Sequence, residues 1–244
     1  MWYTYGYYFG TVSVDPSDVN TVYIAGVPLL KSTDGGHTFE HIGAPNVHVD
    51  HHKVWIDPNN PRHVLNGNDG GMNISWDGGE SWIKCNSPSV GQFYAVEVDD
   101  AEPYNVYGGL QDNGTWKGPH THKENPAWHQ TGQHPYRRLG GGDGMQIEVD
   151  RRNADVVFTG YQFGWYRRTN LATGESTSLH PTHDLGETPL RWNWQTPILL
   201  SRHQQDILYM GSNKLHRSLD QGDTWETLSA VSYTHLRAHE TAYY

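Results

Sequence analysis

Apolar and polar residues alternate in short runs along this chain, and the runs recur. An aliphatic-x-aliphatic-Asp pattern opens "VSVDPSDVNTVYIAG" at Val12, "VWIDPNNPRHVLNG" at Val54 and "VEVDDAEPYNVYGG" at Val96. It returns in "IEVDRRNADVVFTG" at Ile147, and in "ILLSRHQQDILYMG" at Ile198 with serine in place of aspartate. The anchors Asp15, Asp57, Asp99, Asp150 and Ser201 are 42, 42, 51 and 51 residues apart. A glycine follows each by nine to eleven residues: Gly26, Gly67, Gly108, Gly160 and Gly211. Period-two alternation belongs to half-buried strands, and no stretch keeps a helical period for a useful length.

Each repeat reads as strand A, a Pro/Asn turn, strand B, a glycine-marked bend, strand C, a tight hairpin and strand D. Four short antiparallel strands every ~40 to 50 residues make the blade of a β-propeller. β-Helix repeats are shorter, and leucine-rich repeats need a leucine ladder that is missing here. The expected fold is all-β, a propeller fragment of about five four-stranded blades over residues 1–230. Val12, Val54, Val96, Ile147 and Ile198 should be buried on the innermost strands.

The C–D hairpins carry a motif of their own: "STDGGHTF" (Ser32 to Phe39), "SWDGGESW" (Ser75 to Trp82) and "SLDQGDTW" (Ser218 to Trp225). Asp34, Asp77 and Asp220 can accept backbone N–H groups across the turn while the glycines supply positive φ. The closing Phe39, Trp82 and Trp225 are then free to pack between blades. The motif resembles the Asp-box, or bacterial neuraminidase repeat, Ser-x-Asp-x-Gly-x-Thr-Trp. "QDNGTW" (Gln111 to Trp116) reads as a shortened echo in the third blade, and the fourth has none.

Strand direction sorts the loops. With A running up and B down, the A–B turns and C–D boxes share one face, and the B–C bends and D–A crossings share the other. The crossings carry "YGYYFG", "HVDHH", "GQFY", "GGGDG" and "RWNW", and the bends carry "NDGG", "QDNG" and "YQFGW". Aromatic rings stack on the C–H face of a pyranose while amides and acids bond its hydroxyls, so this mixture suits a glycan. The candidate ligand-binding residues are His48, Asp50, His52, Asp69, Gln111, Asn113, Arg191, Trp192 and Trp194. Asp112 and Asp143 are the candidate catalytic pair, one carboxyl protonating the leaving oxygen and the other activating water or attacking carbon. The same aromatics can instead plug the channel, and both aspartates can cap turns. In "HVDHH", alternation puts His48, Asp50 and His52 on one side of an extended segment. Closely spaced crossings rarely complete a tetrahedral metal set, so hydrogen-bonded histidines are expected and neither metal nor cofactor is assigned. "GGGDG" is a squeezed backbone rather than a dinucleotide loop, because Met145 replaces the third glycine and a strand follows. No nucleophile elbow, P-loop or His-Glu-x-x-His motif occurs.

Composition narrows the partners. A net charge of −10 argues against nucleic acid or an anionic membrane. Sixteen histidines make that charge shrink quickly in mild acid. Cys85 is the single cysteine, which excludes an internal disulfide and reads as a small packing residue. No apolar run is long enough for a membrane span. The opening "MWYTYGYYFG" has neither basic nor apolar signal-peptide regions. "VSYTHLRAHET" (Val231 to Thr241) departs from every repeat and resembles the translated read-through of a sequencing-library adapter. Residues 231–244 are expected to be a non-native tail.

"HVDHH-x-x-W-x-DP", "GNDGG", "YNVYGGLQDNG", "GGGDGM", "RWNWQTP" and the boxes together resemble large bacterial "glycosyl hydrolase" proteins with Asp-box repeats, over nearly all of residues 5–230. Their propellers are similar to the sortilin N-terminal domain and to xyloglucanase-type glycoside hydrolases. The resemblance implies part of a larger, exported protein that binds a polysaccharide, with glycoside hydrolysis as its enzymatic form. The alternative it implies is a non-catalytic, sortilin-like propeller for peptide or protein ligands. Xyloglucanase-type enzymes use two aspartates in a cleft between propellers, but their flanking motifs do not occur here, so those residues are not carried over. Neither the sialidase arginine triad nor the cysteine-rich module of sortilin-type receptors is evident.

Overall fold

A computed structural model describes residue 4 and residues 8–85, 91–123 and 134–230. The tail expected at 231–244 lies outside them. The described residues form twenty strands and no helix, so nothing among them is a helix long and apolar enough to cross a membrane.

The strands make five antiparallel four-stranded sheets, each in simple sequence order. The first blade is β1 (Thr11–Val14), β2 (Val22–Ala25), β3 (Leu29–Ser32) and β4 (Glu40–His41). The second is β5 (His51–Asp57), β6 (Asn60–Asn68), β7 (Gly71–Ser75) and β8 (Ile83–Cys85). The third is β9 (Phe93–Val98), β10 (Asn105–Leu110), β11 (Gly114–Pro119) and β12 (Arg137–Gly140). The fourth is β13 (Glu148–Val149), β14 (Val156–Tyr161), β15 (Trp165–Asn170) and β16 (Ser176–Ser178). The fifth is β17 (Ile198–Leu200), β18 (Leu208–Gly211), β19 (Lys214–Ser218) and β20 (Glu226–Ala230). These are propeller blades, and the chain groups them into two compact units, Met1–Val90 and Gly91–Tyr244.

The repeat anchors earn their constancy at the A–B turns. Asp15 accepts the Ser17 N–H at 2.8 Å, Asp57 that of Asn59 at 2.9 Å, and Asp150 that of Arg152 at 2.9 Å. Asp99 accepts from Ala101 at 3.3 Å, and the Ser201 hydroxyl accepts from His203 at 3.3 Å. A short acceptor two residues upstream imitates a backbone turn, which is why serine can replace aspartate.

Within each unit, a blade packs on the one before it. In the first unit, Val54 and Ile56 of β5 meet Tyr23, Ala25 and Leu29 of the first blade. In the second, Ile147 and Val149 meet Tyr107, and Ile198 and Leu200 meet Phe158 and Tyr166. This corrects one expectation. Val54, Ile147 and Ile198 are buried, but Val12 and Val96 are 65% and 60% exposed. Those two lie in the leading blade of each unit, where the unit itself supplies no earlier blade to cover them. The box aromatics obey the same rule. Trp82 is buried against the first blade and donates its indole N–H to Ile42 O at 2.9 Å, and Trp225 packs into the core shared with the fourth blade. Phe39, in a leading blade, stays exposed.

The three boxes are superimposable in their hydrogen bonds. Asp34 accepts the Thr38 N–H at 2.8 Å, Asp77 that of Ser81 at 2.9 Å, and Asp220 that of Thr224 at 2.8 Å. The leading serine donates to the aspartate and accepts from the glycine four residues on in every case, as in Gly79 N–H to Ser75 Oγ at 2.8 Å. Hydroxyl bonds, from Ser81 and from Ser218, lead in holding Asp77 and Asp220 down at about 2, and Thr38 puts Asp34 well below the carboxylate range. A depressed carboxyl stabilises the fold above its unfolded value of 3.8 and loses that contribution as pH falls through about 2. Asp77→Asn is therefore expected to melt a few degrees below wild type at pH 6, with the gap closing by pH 2. A gap independent of pH would mean that the charge is irrelevant to the hairpin.

"QDNGTW" is not a box. It forms the three-residue B–C bend between Leu110 and Gly114, with Asp112 at φ 60° and the Asn113 amide donating to Gln111 O at 3.0 Å. Trp116 turns its indole N–H back to Asn113 O at 2.7 Å rather than toward another blade.

Candidate functional site

The crossings and bends meet at one end of each unit, and the boxes and A–B turns at the other. The boxes touch A–B turns through Gly35 N–H to Asn20 O, Gly78 N–H to Arg62 O and Gln221 N–H to Asp206 O. Asp34, Asp77 and Asp220 thus lie opposite the candidate site residues of their own unit.

In the first unit, the crossing before β5 donates from Asp50 N–H to Val27 O at 3.2 Å and from His51 N–H to Gly26 O at 2.8 Å. Asp50 sits at φ 62°, so "HVDHH" is not extended and its alternation breaks at that residue. The expected row of His48, Asp50 and His52 on one side does not form. His48 bonds through Nδ1 to Val49 O at 2.9 Å and lies over Gly70, where a Cβ would come within 2.5 Å of its own. His52 Nε2 reaches Asp69 Oδ1 at 2.6 Å, with its ring 4.9 Å from Phe9. Asp69 N–H in turn donates to Asp50 O at 3.3 Å. The histidine that the alternation hides is His51, which is 2% exposed and bonds to Asn66 Oδ1 at 3.1 Å.

In the second unit, "GGGDG" is stitched between two bends. Gly114 N–H donates to Gly142 O at 2.9 Å, Gly144 N–H to Leu110 O at 2.9 Å, and Met145 N–H to Gly160 O at 3.2 Å. Asp143 is 4% exposed, accepts the Asp112 N–H at 3.0 Å, and donates its own N–H to Gln162 Oε1 at 3.3 Å. The two candidate catalytic residues are therefore direct neighbours. One Asp143 oxygen holds the Asp112 bend, the turn-capping duty that was the plainer expectation for it. Gln111 and Asn113 flank Asp112 in the same bend, half-buried.

Beside this layer lies a band of aromatic rings. The long crossing between the fourth and fifth blades is tied down where Arg191 N–H meets Asn213 Oδ1 at 2.8 Å and Phe163 N–H meets Trp194 O at 3.1 Å. Trp194 stands edge-on to Phe163 at 5.3 Å and donates its indole N–H to the Tyr94 hydroxyl at 3.3 Å. Trp165 stacks on His180 at 4.3 Å and 9°, and His180 leans on Trp192 at 4.6 Å. Trp192 is half-buried on Gly164, where a Cβ would meet its ring at 2.7 Å. Tyr161, Phe163, Trp165 and Trp194 are each between 43% and 47% exposed. Isolated exposed aromatics are unremarkable, whereas these four are held as pairs, Tyr161 with Trp165 and Phe163 with Trp194.

"YQFGW" carries three of these rings in sequence, so they were legible. His180, fifteen residues beyond Trp165, was not. Its role depends on the crossing folding back so that His180 Nδ1 donates to Gly164 O at 2.9 Å.

No protein-family model and no curated protein matches the chain. Among solved structures it is similar to the GH74 xyloglucanase from Xanthomonas campestris, at 18% identity and TM-score 0.38, over 89% of this chain and 38% of that one. It is similar to the Niastella koreensis GH74 enzyme at 15% identity and TM-score 0.40, over 90% and 38%. A third is YCF48 bound to D1 peptide, at 12% identity and TM-score 0.33, over 85% and 64%. The chain thus spans well under half the length of the two GH74 enzymes. The propeller assignment rests on the five sheets themselves.

Proposed function

We propose that this chain is the glycan-binding part of an exported β-propeller protein, with its ligand on the crossing-and-bend end of the second unit. The observation that carries this is the set Tyr161, Phe163, Trp165 and Trp194, each partly open to solvent, with Trp165 beside Tyr161 and stacked on His180, His180 leaning on Trp192, and Trp194 edge-on to Phe163. Preorganised rings lose little entropy on binding, and pyranose C–H groups present an apolar face to them. Arg191 and the Gln111–Asn113 bend supply polar groups at the same end of the unit. Hydrolysis is the enzymatic form of the reading, with Asp112 and Asp143 as its carboxylates.

Isothermal titration with a panel of soluble polysaccharides, xyloglucan included, tests it. Trp165→Ala is expected to weaken binding about tenfold or more, as loss of a central aromatic anchor does. Unchanged affinity in both Trp165→Ala and Trp194→Ala would remove the ring surface as the site. Asp112→Asn and Asp143→Asn separate chemistry from binding: turnover lost with affinity kept assigns catalysis to the pair. Turnover unaffected in both leaves these aspartates as turn-holders on a binding propeller.

A further inference from the structure

The middle residue of each aliphatic-x-aliphatic repeat is Ser13, Trp55, Glu97, Glu148 and Leu199 in turn. Only the second unit places two acids there in successive blades. β13, which carries Glu148, touches both β9 and β17. Glu97 and Glu148 line one cavity of about 10 Å³ together with Val149, Arg151, Leu200, Arg202 and Gln205. That is space for roughly one water, far too little for a sugar ring, so the pair is not a glycosidase site.

We propose that Glu148, sharing a cavity with Glu97, forms a proton-controlled latch between the innermost strands of the second unit, closed while Glu148 keeps its proton and loosened when it ionises beside Glu97. The charged surroundings fix the division of roles. From β9 comes Glu97, 3.5 Å from Arg151 Nη2, and just past it Asp100, which is ion-paired with the same guanidinium. Arg151 is thus committed to Glu97 and Asp100, and its backbone N–H donates to Gln205 Oε1 at 2.9 Å. On its own segment, Glu148 receives the Gln146 amide at 3.4 Å. From β17 come the Leu200 N–H and, beyond the strand, the charge of Arg202, both of which favour the ionised form. From β15, the Tyr166 phenol is neutral and donates to Thr196 O at 3.1 Å. Burial, followed by the charge of Glu97, outweighs these and pushes Glu148 up to about 7 from 4.5.

The folded state holds the Glu148 proton more tightly than the unfolded chain, so the contribution is full below about 4.5 and is lost as pH climbs through about 7. The latch closes in acid.

Carboxyl NMR of the intact chain, with glutamate labelled and Glu148 assigned through Glu148→Gln, tests this directly. One glutamate is expected to titrate near neutrality, and in Glu97→Gln that titration should move to lower pH. Hydrogen exchange across β9, β13 and β17, corrected for intrinsic chemistry, should accelerate about tenfold or more between pH 5 and 8, and should stay flat in Glu148→Gln. A wild-type spectrum in which every glutamate titrates at an ordinary value overturns the proposal, whether or not the variants fold. Equal acceleration in wild type and Glu148→Gln overturns it as well.

Discussion

Gly144→Ala is expected to destabilise the second unit by about 3 kcal/mol or more, and Gly109→Ala by a similar amount. A Cβ on Gly144 would stand 2.2 Å from Gly114 O, and one on Gly109 would stand 2.0 Å from Met145 O. Both obstacles are backbone, so no side-chain rotation relieves them. The crossing cannot retreat either, because it is bonded on both flanks, to Leu110 O and to Gly160 O. The same layer fixes Asp143 against the Asp112 bend, so a displaced crossing should also disturb the candidate site. Two controls separate this clash from a general cost of losing glycine. Gly67→Ala meets nothing within 4 Å at an ordinary φ and should be neutral or slightly stabilising. Gly174→Ala also has open space but sits at φ 79°, so it should cost about 1 kcal/mol. Urea midpoints of the four variants measure the order directly, and a Gly144→Ala midpoint near that of Gly67→Ala would refute the close-layer account.

The first unit should lose stability in mild acid through one residue. His51 is buried between the first two blades, and burial pulls it down to about 4 from 6.5, against a smaller opposing effect of its bond to Asn66. A depressed histidine is neutral in the folded state and protonated in the unfolded chain between those values. Its contribution is therefore intact above about 6.5 and disappears as pH falls through about 4, amounting to up to about 3 kcal/mol. His51→Gln, which keeps a donor for Asn66 without the titration, should flatten the dependence of the first unit's unfolding between pH 6.5 and 4. Exchange rates on β2, β5 and β6 read that unit alone. The prediction runs opposite to the Glu148 latch, so a single global melting curve would blur the two. If wild type and His51→Gln show the same acid slope, His51 is not its source.

Blade count and blade boundaries were legible because they rest on local chemistry. An Asp or Ser acceptor two residues before a backbone donor makes the A–B turn wherever it occurs, and Ser-x-Asp followed by two left-handed residues, the second a glycine, makes the hairpin. Each needs only its own neighbours. Strand direction then placed crossings and bends at one end and boxes at the other, since antiparallel order leaves no alternative. One error comes from carrying periodicity through irregular backbone. "HVDHH" reads as extended, but Asp50 adopts a left-handed conformation and turns His51, not the residues beside it, into the core. "QDNG" lies in the B–C bend between β10 and β11 where strand direction puts it, and its likeness to a box is one of letters only.

Whether a patterned residue is buried was decided elsewhere. Val12 and Val54 occupy the same position in the same repeat, yet one is 65% exposed and the other 2%. The sequence alone determined that each aliphatic faces one side of its sheet; whether a blade stands there is a fact about the neighbours in space. The same holds for chemistry. Asp112 and Asp143 were marked as acids beside flexible glycines, but only the folded crossing shows that one Asp143 oxygen is spent on the Asp112 N–H. Glu97 and Glu148 are polar members of two strands in the sequence, and only packing of β13 between β9 and β17 brings both to the wall of one small cavity. Turns and strands answer to bonds spanning a few residues, whereas burial and charge coupling answer to groups some fifty residues apart along the chain.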